Sequence, residues 1–567
     1  MTINAKWEFS RRDALLVAAG GVAAALTAAP GAVRADTATV SGLVFEDKDG
    51  SGKPGPGNPG LAGVLVSNGR DIAVTDADGR YTLPLPEEAV IFVIKPAGFM
   101  PPVDPATNLP RFYRLHQPGG SPASLNLTFA GVPPTGPLPA SVDFALRRLD
   151  EPTAFEVVMF TDPQPESDVE VDFIREDVIE ALAGTKAQFG FTAGDIMFDD
   201  LSLYDRYNAI IGTIGLPWWN VGGNHDLNFE APDRQRSRET FKRVFGPNYY
   251  AFFYAKTLFL MLDDVNYLGA DKTKPHAAGI YEGRLDAPQL EFVRNVLTHT
   301  PPDTLIVMVL HIPFRTYMDP PDPASTLVKA SRDDLFALFE GRRYTVSFSG
   351  HTHTTEHHYF DAADGWKGAA PHHHHVMTAV SGSWWSGPYD HRGVAYADSR
   401  DGSPNGFHIL SVDGNAYKTR FVPAKEPNGR QIRLSIESQF HAANREIKYQ
   451  FRPGQLNGSP IGRTTLGAAT LVANVFDGGP KTKVTMRIGD RAPIEMSPSR
   501  MPDPFVEDLF ARNEATKKPW IKAEVSSHIW TARLPHDLDV GAHRVVVEAV
   551  TEYGDVVSGR LALEVTG

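Results

Sequence analysis

The sequence predicts a mixed α/β core of stacked sheets with helices around them, framed by two all-β modules. Three observations lead there. Across residues 155–424, apolar runs (EVVMF, QFGFTA, LPWWNV, TLFLML, TLIVMVL, YTVSFS, HHVMTAV) alternate with helix-like stretches at 168–183, 286–298 and 326–340, a pattern that belongs to sheets flanked by helices. On both sides the pattern changes to short strands separated by Gly, Pro and Asp turns, the signature of β-sandwiches. In the middle segment, acidic and histidine motifs stand just past the apolar runs, where open α/β sheets bind their ligands. The chain therefore divides into a leader at 1–35, an N-terminal β-sandwich at 36–150, the α/β domain at 151–425 and a C-terminal β-sandwich at 426–567.

The leader is excluded from the fold. Ser10-Arg11-Arg12-Asp13-Ala14-Leu15-Leu16 runs into an Ala/Gly/Val/Leu stretch that ends at Val33-Arg34-Ala35. A twin arginine, an apolar core and small residues before a cut form an export signal, with the twin-arginine route and a periplasmic or secreted destination as the expectation. No later segment approaches the ~20 apolar residues of a membrane span, so no stable membrane insertion is expected after cleavage.

In the N-terminal segment, ATVSGLVF, GVLVSNG, YTLPL and AVIFVIKP supply the strands. From Gly42-Leu43-Val44-Phe45 to Asp78-Gly79-Arg80-Tyr81 it resembles small Ig-like, carboxypeptidase-regulatory or bacterial B-repeat modules. Asp47-Lys48-Asp49-Gly50-Ser51 spaces oxygens like a calcium loop, but reads better as an ion-free Asp/Gly turn. RLSIESQF, TLVANVF, KVTMRIG, WTARLP, HRVVVEAV and GRLALEV supply the C-terminal strands.

Composition narrows the chemistry. With no cysteine in 567 residues, disulfides, thiolate metal sites and cysteine nucleophiles are excluded. A net charge of −13 and a pI of about 5.8 argue against nucleic-acid binding. What remains at the strand ends is Asp162-Pro163-Gln164, Gly194-Asp195, Gly223-Asn224-His225-Asp226, His311 and Gly350-His351-Thr352-His353. Carboxylate, amide and imidazole without sulfur form a ligand set for divalent metals, with Mn, Fe, Zn and Co all admissible.

Those five blocks, in that order, resemble the calcineurin-like metallophosphoesterases, whose pattern is D-x-H, G-D, G-N-H-[DE], a lone His and G-H-x-H. The flanking modules resemble those of a bacterial three-domain subgroup of that family. The resemblance implies a four-layer α/β/β/α sandwich and two divalent ions about 3.5–4 Å apart that clamp a phosphoryl group and activate a water. Carried over residue by residue, it implies Asp162, Gln164 and His353 on one metal and Asn224, His311 and His351 on the other, with Asp195 bridging. His225 then faces the substrate as general acid, oriented by Asp199 or Asp200.

Two departures bear on specificity. Gln164 replaces the family's histidine and offers only a neutral carbonyl oxygen, which favours a harder ion such as Mn²⁺; manganese-dependent ADP-ribose/CDP-alcohol pyrophosphatases look alike at this position. Ile196-Met197-Phe198-Asp199-Asp200 lacks the arginine of Ser/Thr protein phosphatases. Substrate contacts are expected from Arg315 and Tyr317 beyond His311, and from Trp384, Trp385 and Asp390 in the loop Ser381-Gly382-Ser383-Trp384-Trp385. His357 and His358 read as surface residues, and the four histidines at 372–375 as a structural strand with alternate rings on opposite faces. The expected activity is hydrolysis of a small phosphate mono- or diester. Alternatives are a nucleotide-diphosphate pyrophosphatase and a catalytically silent surface or glycan-binding protein.

Overall fold

The computed structural model describes residues 38–271, 273, 279–318, 324–425, 429–436 and 460–567. The leader at 1–35 lies outside them. Among the described residues no helix is long and apolar enough to cross a membrane.

Two central sheets follow from the apolar runs. A five-stranded sheet has the order Trp218–Val221, Phe189–Ala193, Ala154–Phe160, Gly406–Asp413, Ala416–Pro423. Its first three strands are parallel and the last two join antiparallel. A six-stranded sheet has the order Tyr250–Tyr254, Thr257–Met261, Leu305–Val309, Thr345–Ser349, His372–Val376, Glu356–Phe360. Its four inner strands are parallel and its edges antiparallel.

The period of two along a strand decides what each face covers. Val157 and Met159 belong to a core shared with Phe189, Phe191, Phe252 and Phe259, between the sheets. Val158 and Phe160 point the other way and pack with Ile174, Val178, Tyr204 and Phe241. Those outer residues come from the stretch that starts as the helix Asp168–Phe173 and from the helices Tyr204–Gly212 and Glu239–Phe245. On the far side, Phe292, Val293 and Val296 of Ala287–Thr298 and Leu335 and Phe336 of Lys329–Ala337 join the core of the six-stranded sheet. The arrangement is an α/β/β/α sandwich, and each fully buried Val, Leu, Ile or Phe contributes about 1.5–3 kcal/mol.

Two β-modules flank it. The N-terminal one has two four-stranded sheets built on Thr39–Glu46 and Ala89–Ile94. Its Asp/Gly turn at 47–51 is internally bonded: Asp47 accepts from Gly52 N at 3.0 Å and Asp49 from Ser51 N at 2.9 Å. The C-terminal module has a four-stranded sheet around Thr470–Val475 and a five-stranded sheet around Gly541–Val550.

The histidines depart from expectation. His357 and His358 are fully buried rather than at the surface, because Glu356–Phe360 forms an edge strand paired with His372–Val376. All four histidines at 372–375 are buried as well. Polar composition hid the first of these strands.

Candidate metal centre

Each motif begins one to three residues past a strand's carboxyl end. Asp162 follows Ala154–Phe160, Asp195 follows Phe189–Ala193, Asn224 follows Trp218–Val221, His311 follows Leu305–Val309 and His351 follows Thr345–Ser349. Both sheets thus deliver their loops to one end of the sandwich. The loops are tight: Asp162, Gln164, Asp195, His351 and His353 have φ of 48°, 39°, 50°, 72° and 53°. Non-glycine residues at positive φ carry strain of order 1–3 kcal/mol and cluster where function demands them. The glycines of the motifs are dictated by crowding. A Cβ on Gly223 would sit 2.1 Å from Asp195 Oδ1, and one on Gly350 would sit 1.7 Å from Thr161 Oγ1.

Asp195 stands at the centre. Its Oδ2 accepts from Gln164 Nε2 at 2.8 Å and lies 3.2 Å from His311 Nε2. Its Oδ1 accepts from His225 N at 2.9 Å. His311 Nε2 is 3.0 Å from Asn224 Oδ1 and 3.2 Å from His351 Nδ1. On the other flank, Asp162 accepts from His351 N at 3.0 Å and lies 3.5 Å from His353 Nε2. The structure therefore brings together all seven residues expected to hold metal.

The buried carboxylates draw positive charge to themselves: against its burial, His311 is raised to about 10 by Asp195, then Asp162 and Asp264. Burial pushes Asp162 up to about 7 and Asp195 adds to the rise, against His311. Burial holds His351 and His353 down to about 3, as neutral imidazoles with lone pairs. Asp195 stays well below the usual carboxylate range, because His311 and His225 outweigh its burial. Gln164 Oε1 is buried without any hydrogen-bond partner, an arrangement that normally costs stability. Two carboxylates, lone-pair imidazoles and an unused amide oxygen fit divalent cations.

His225 is held differently. Its Nδ1 donates to Phe198 O and to Asp199 Oδ1, both at 2.8 Å, and Phe198 stacks on the ring with centroids 4.7 Å apart. Burial opposes its charge, but Asp195 and Asp199 prevail and raise it to about 9. Asp200 instead caps the turn Leu201–Leu203, accepting from Ser202 N at 3.0 Å.

A cavity of about 430 Å³ opens over Gln164, Asp195, Asn224, His225, His351 and His353. Of the expected substrate contacts, Trp384 lines it and stacks on His353 at 3.9 Å. The other four do not. Trp385 is 4% exposed and packs on Phe173 in the core. Arg315 pairs with Asp364 and lies over Phe360. Tyr317 donates to His357 O at 3.3 Å. Asp390 closes a turn with Arg392 and Lys425. Sequence reasoning missed Tyr281, Arg400, Lys522 and Glu524, which share the lining with Trp384. Lys522 and Glu524 come from the C-terminal segment, as does Trp520, which stacks on Phe198 at 5.8 Å. Nothing local in the sequence announces them.

It also missed the residues that brace the site. Asp226 accepts from Gly223 N at 2.8 Å, Ile196 N at 3.0 Å, Met197 N at 3.1 Å and Tyr204 Oη at 2.9 Å. Buried Arg238 donates to Gly223 O at 2.7 Å and to Asp263 Oδ1 at 2.9 Å.

A strand-end cluster with carboxylate, amide and imidazole donors around one cavity is that of a metal-assisted phosphoester hydrolase. Comparison with known proteins bears on the same point. Residues 49–131 match the family model described as the N terminal of calcineurin-like phosphoesterase, and residues 374–556 the one described as its C terminal. No curated protein matches. Among solved structures, the chain is similar to purple acid phosphatase PPD1 from yellow lupin (Lupinus luteus) seeds, at 13% identity over 69% of this chain and 67% of that one, with a TM-score of 0.35. The two family matches support a calcineurin-like metallophosphoesterase with N- and C-terminal modules. The chain is accordingly a metal-dependent hydrolase of phosphoesters.

Proposed function

We propose that the protein hydrolyses a small phosphate mono- or diester at a dinuclear centre. Asp162, Gln164 and His353 would hold one ion, Asn224, His311 and His351 the other, and Asp195 both. The observation that carries this reading is the position of Asp195, whose one carboxylate touches Gln164 of the first group and His311 of the second. Divalent ions held there supply Lewis-acid charge and make water a nucleophile near neutral pH.

The chain's own residues do the rest. With Nδ1–H donated to Phe198 O and Asp199, His225 has Nε2 left for the substrate. From there it hydrogen-bonds a phosphoryl oxygen and gives its proton to the leaving oxygen. Phe198 and Asp199 fix the ring so that this proton is aimed before substrate arrives. Arg400 and Lys522 share Glu524 as ion-pair partner on the cavity wall, which leaves a net positive charge among the three that favours an anionic substrate.

A pyrophosphatase acting on nucleotide-diphosphate conjugates is the second reading. The aromatic wall of Trp384 and Tyr281, with Trp520 beside it, supports that reading, since flat rings stack on bases. Export through the twin-arginine route rests on Arg11, Arg12 and the apolar run after them.

A panel separates the readings. Bis-p-nitrophenyl phosphate, p-nitrophenyl phosphate, a thymidine monophosphate p-nitrophenyl ester and ADP-ribose are each offered to metal-stripped protein refilled with Mn²⁺, Zn²⁺ or Fe²⁺. Preference for an ester supports the first reading, preference for ADP-ribose the second. Turnover of none of them with metal bound would sink both.

A further inference from the structure

A second group of metal-binding side chains lies outside the centre described above and shares no residue with it. His357 and His375 come from the paired edge strands of the six-stranded sheet, where they are direct register partners. His408 comes from Gly406–Asp413 of the five-stranded sheet. Asp477 comes from the turn after Thr470–Val475 in the C-terminal module. The Nε2 atoms of His375, His357 and His408 stand 3.1, 3.2 and 3.4 Å from one atom, Asp477 Oδ1. All three histidines have 0% exposure, and the Asp477 side chain 14%.

A hydrogen-bond network explains only part of this. His357 meets Asp477 in hydrogen-bond geometry. His375 and His408 do not, and neither ring nitrogen of either residue has a hydrogen-bond partner. Buried imidazoles left so are costly unless something else satisfies them. A metal ion satisfies them, binding neutral imidazole and ionised carboxylate and displacing any proton shared between His357 and Asp477.

The surroundings support the same conclusion. His357 Nδ1 is 2.9 Å from His373 Nε2, and His373 Nδ1 is 2.9 Å from Tyr417 Oη. If His373 Nδ1–H donates to the phenol, its Nε2 accepts from His357 Nδ1–H, and the lone pair of His357 Nε2 faces Asp477. Outer hydrogen bonds of this kind fix the tautomer of metal-bound histidines. Geometry agrees as well. Ligand atoms about 2.0–2.1 Å from a tetrahedral ion stand about 3.3 Å from one another; His375 and His357 lie near that distance from Asp477, and all three ligand atoms are within 4.8 Å of one another.

We propose that His357, His375 and Asp477 bind one divalent transition-metal ion, best suited to Zn²⁺, as a structural clip between the six-stranded sheet and the C-terminal module, with His408 of the five-stranded sheet against the same carboxylate. Two nitrogens and one oxygen supply three ligands, and the fourth tetrahedral position falls to His408 or to a water. The clip bears on the reaction indirectly, because the module it anchors carries Lys522 and Glu524 into the catalytic cavity.

The test uses the full chain. Asp195→Asn combined with His311→Ala disables the first centre. That variant is stripped with chelator, refilled with Zn²⁺ alone, dialysed and analysed for metal. We expect about one zinc ion per chain to remain, and about none once His375→Gln is added. Co²⁺ in place of Zn²⁺ should give the intense visible bands of tetrahedral coordination, a readout that needs no change at the new site if His375→Gln fails to fold. In the otherwise native chain, His375→Gln should remove about one ion and lower Tm while the first centre keeps its metal. Loss of all zinc from a folded Asp195→Asn/His311→Ala variant, with no tetrahedral Co²⁺ spectrum, would overturn the proposal and leave a proton-linked His–Asp network. Turnover by the native chain is read separately, so failure here is distinct from failure of the proposed activity.

Discussion

His225 and Gln164 are the residues on which specificity and turnover depend. His225→Ala removes the general acid while leaving every proposed metal ligand in place. We expect kcat to fall by about 10²–10⁴, with metal content unchanged by elemental analysis. Gln164→Ala should weaken metal retention, because it deletes the only buried donor of the cavity whose oxygen has no other partner among the described residues. Gln164→His should shift preference from Mn²⁺ toward Zn²⁺, since imidazole suits the borderline metal better; titration of stripped protein with each ion checks it. In metal-free protein, His225 should titrate near pH 9. Its raised value means that the charged form stabilises the fold below about pH 6.5 and that this contribution fades as pH passes 9. An NMR titration of the ring reads that value directly. At this scale the sequence was informative for a physical reason: a ligand must be a particular residue type, and its glycine neighbours are forced by contacts as close as that of Gly223 with Asp195.

The loops show where that legibility ends. Asp226 was visible as the last letter of a motif, but its task of binding three backbone amides was not. Arg238 and Asp263, 25 residues apart, form a buried pair that holds the Gly222–Gly223 carbonyls. Such a pair leaves no local pattern, because an isolated arginine in a polar stretch reads as surface. Arg238→Met leaves Asp263 with only the longer 3.6 Å approach of Arg234 and should destabilise by about 3 kcal/mol, measured by urea denaturation. The added Asp263→Leu change should recover part of that loss. Arg315 and Tyr317 illustrate the opposite error. They are close to His311 in sequence, but Thr316 Oγ1 and Tyr317 N bond the carboxylate of Glu356 at 2.8 Å. That contact draws the segment along the edge strand and away from the cavity. The strand Glu356–Phe360 itself was hidden because His, His and Glu do not resemble a β-run, although burial makes them one.

Across the whole molecule, the alternation of strands and helices was sufficient to predict the layers, since burying an apolar face of each element permits few arrangements. How the modules are joined was not predictable, because the joints use single long-range contacts. Lys95 of the N-terminal module donates to Glu151 Oε1 at 2.5 Å and to Phe253 O at 2.7 Å, and Glu151 Oε2 accepts from Ala255 N at 2.7 Å. Both side chains are almost fully buried. Glu151→Ala should therefore cost about 3–5 kcal/mol, and Lys95→Met with Glu151→Leu distinctly less, as thermal melts of the parent and the two variants will read. For the leader, replacing Arg11 and Arg12 by lysine should leave the protein uncleaved inside the cell if export uses the twin-arginine route; N-terminal sequencing of exported material checks it.

The central claim is that the strand-end cluster is a metal-dependent phosphoesterase site with His225 acting on the substrate. The most direct measurement is turnover of bis-p-nitrophenyl phosphate by stripped protein before and after refilling, in parallel with His225→Ala and with metal content recorded for both. We expect no turnover without metal, recovery on refilling, and a refilled variant that holds as much metal yet turns over at least about 10²-fold more slowly. A variant that matches the parent at equal metal content would contradict it.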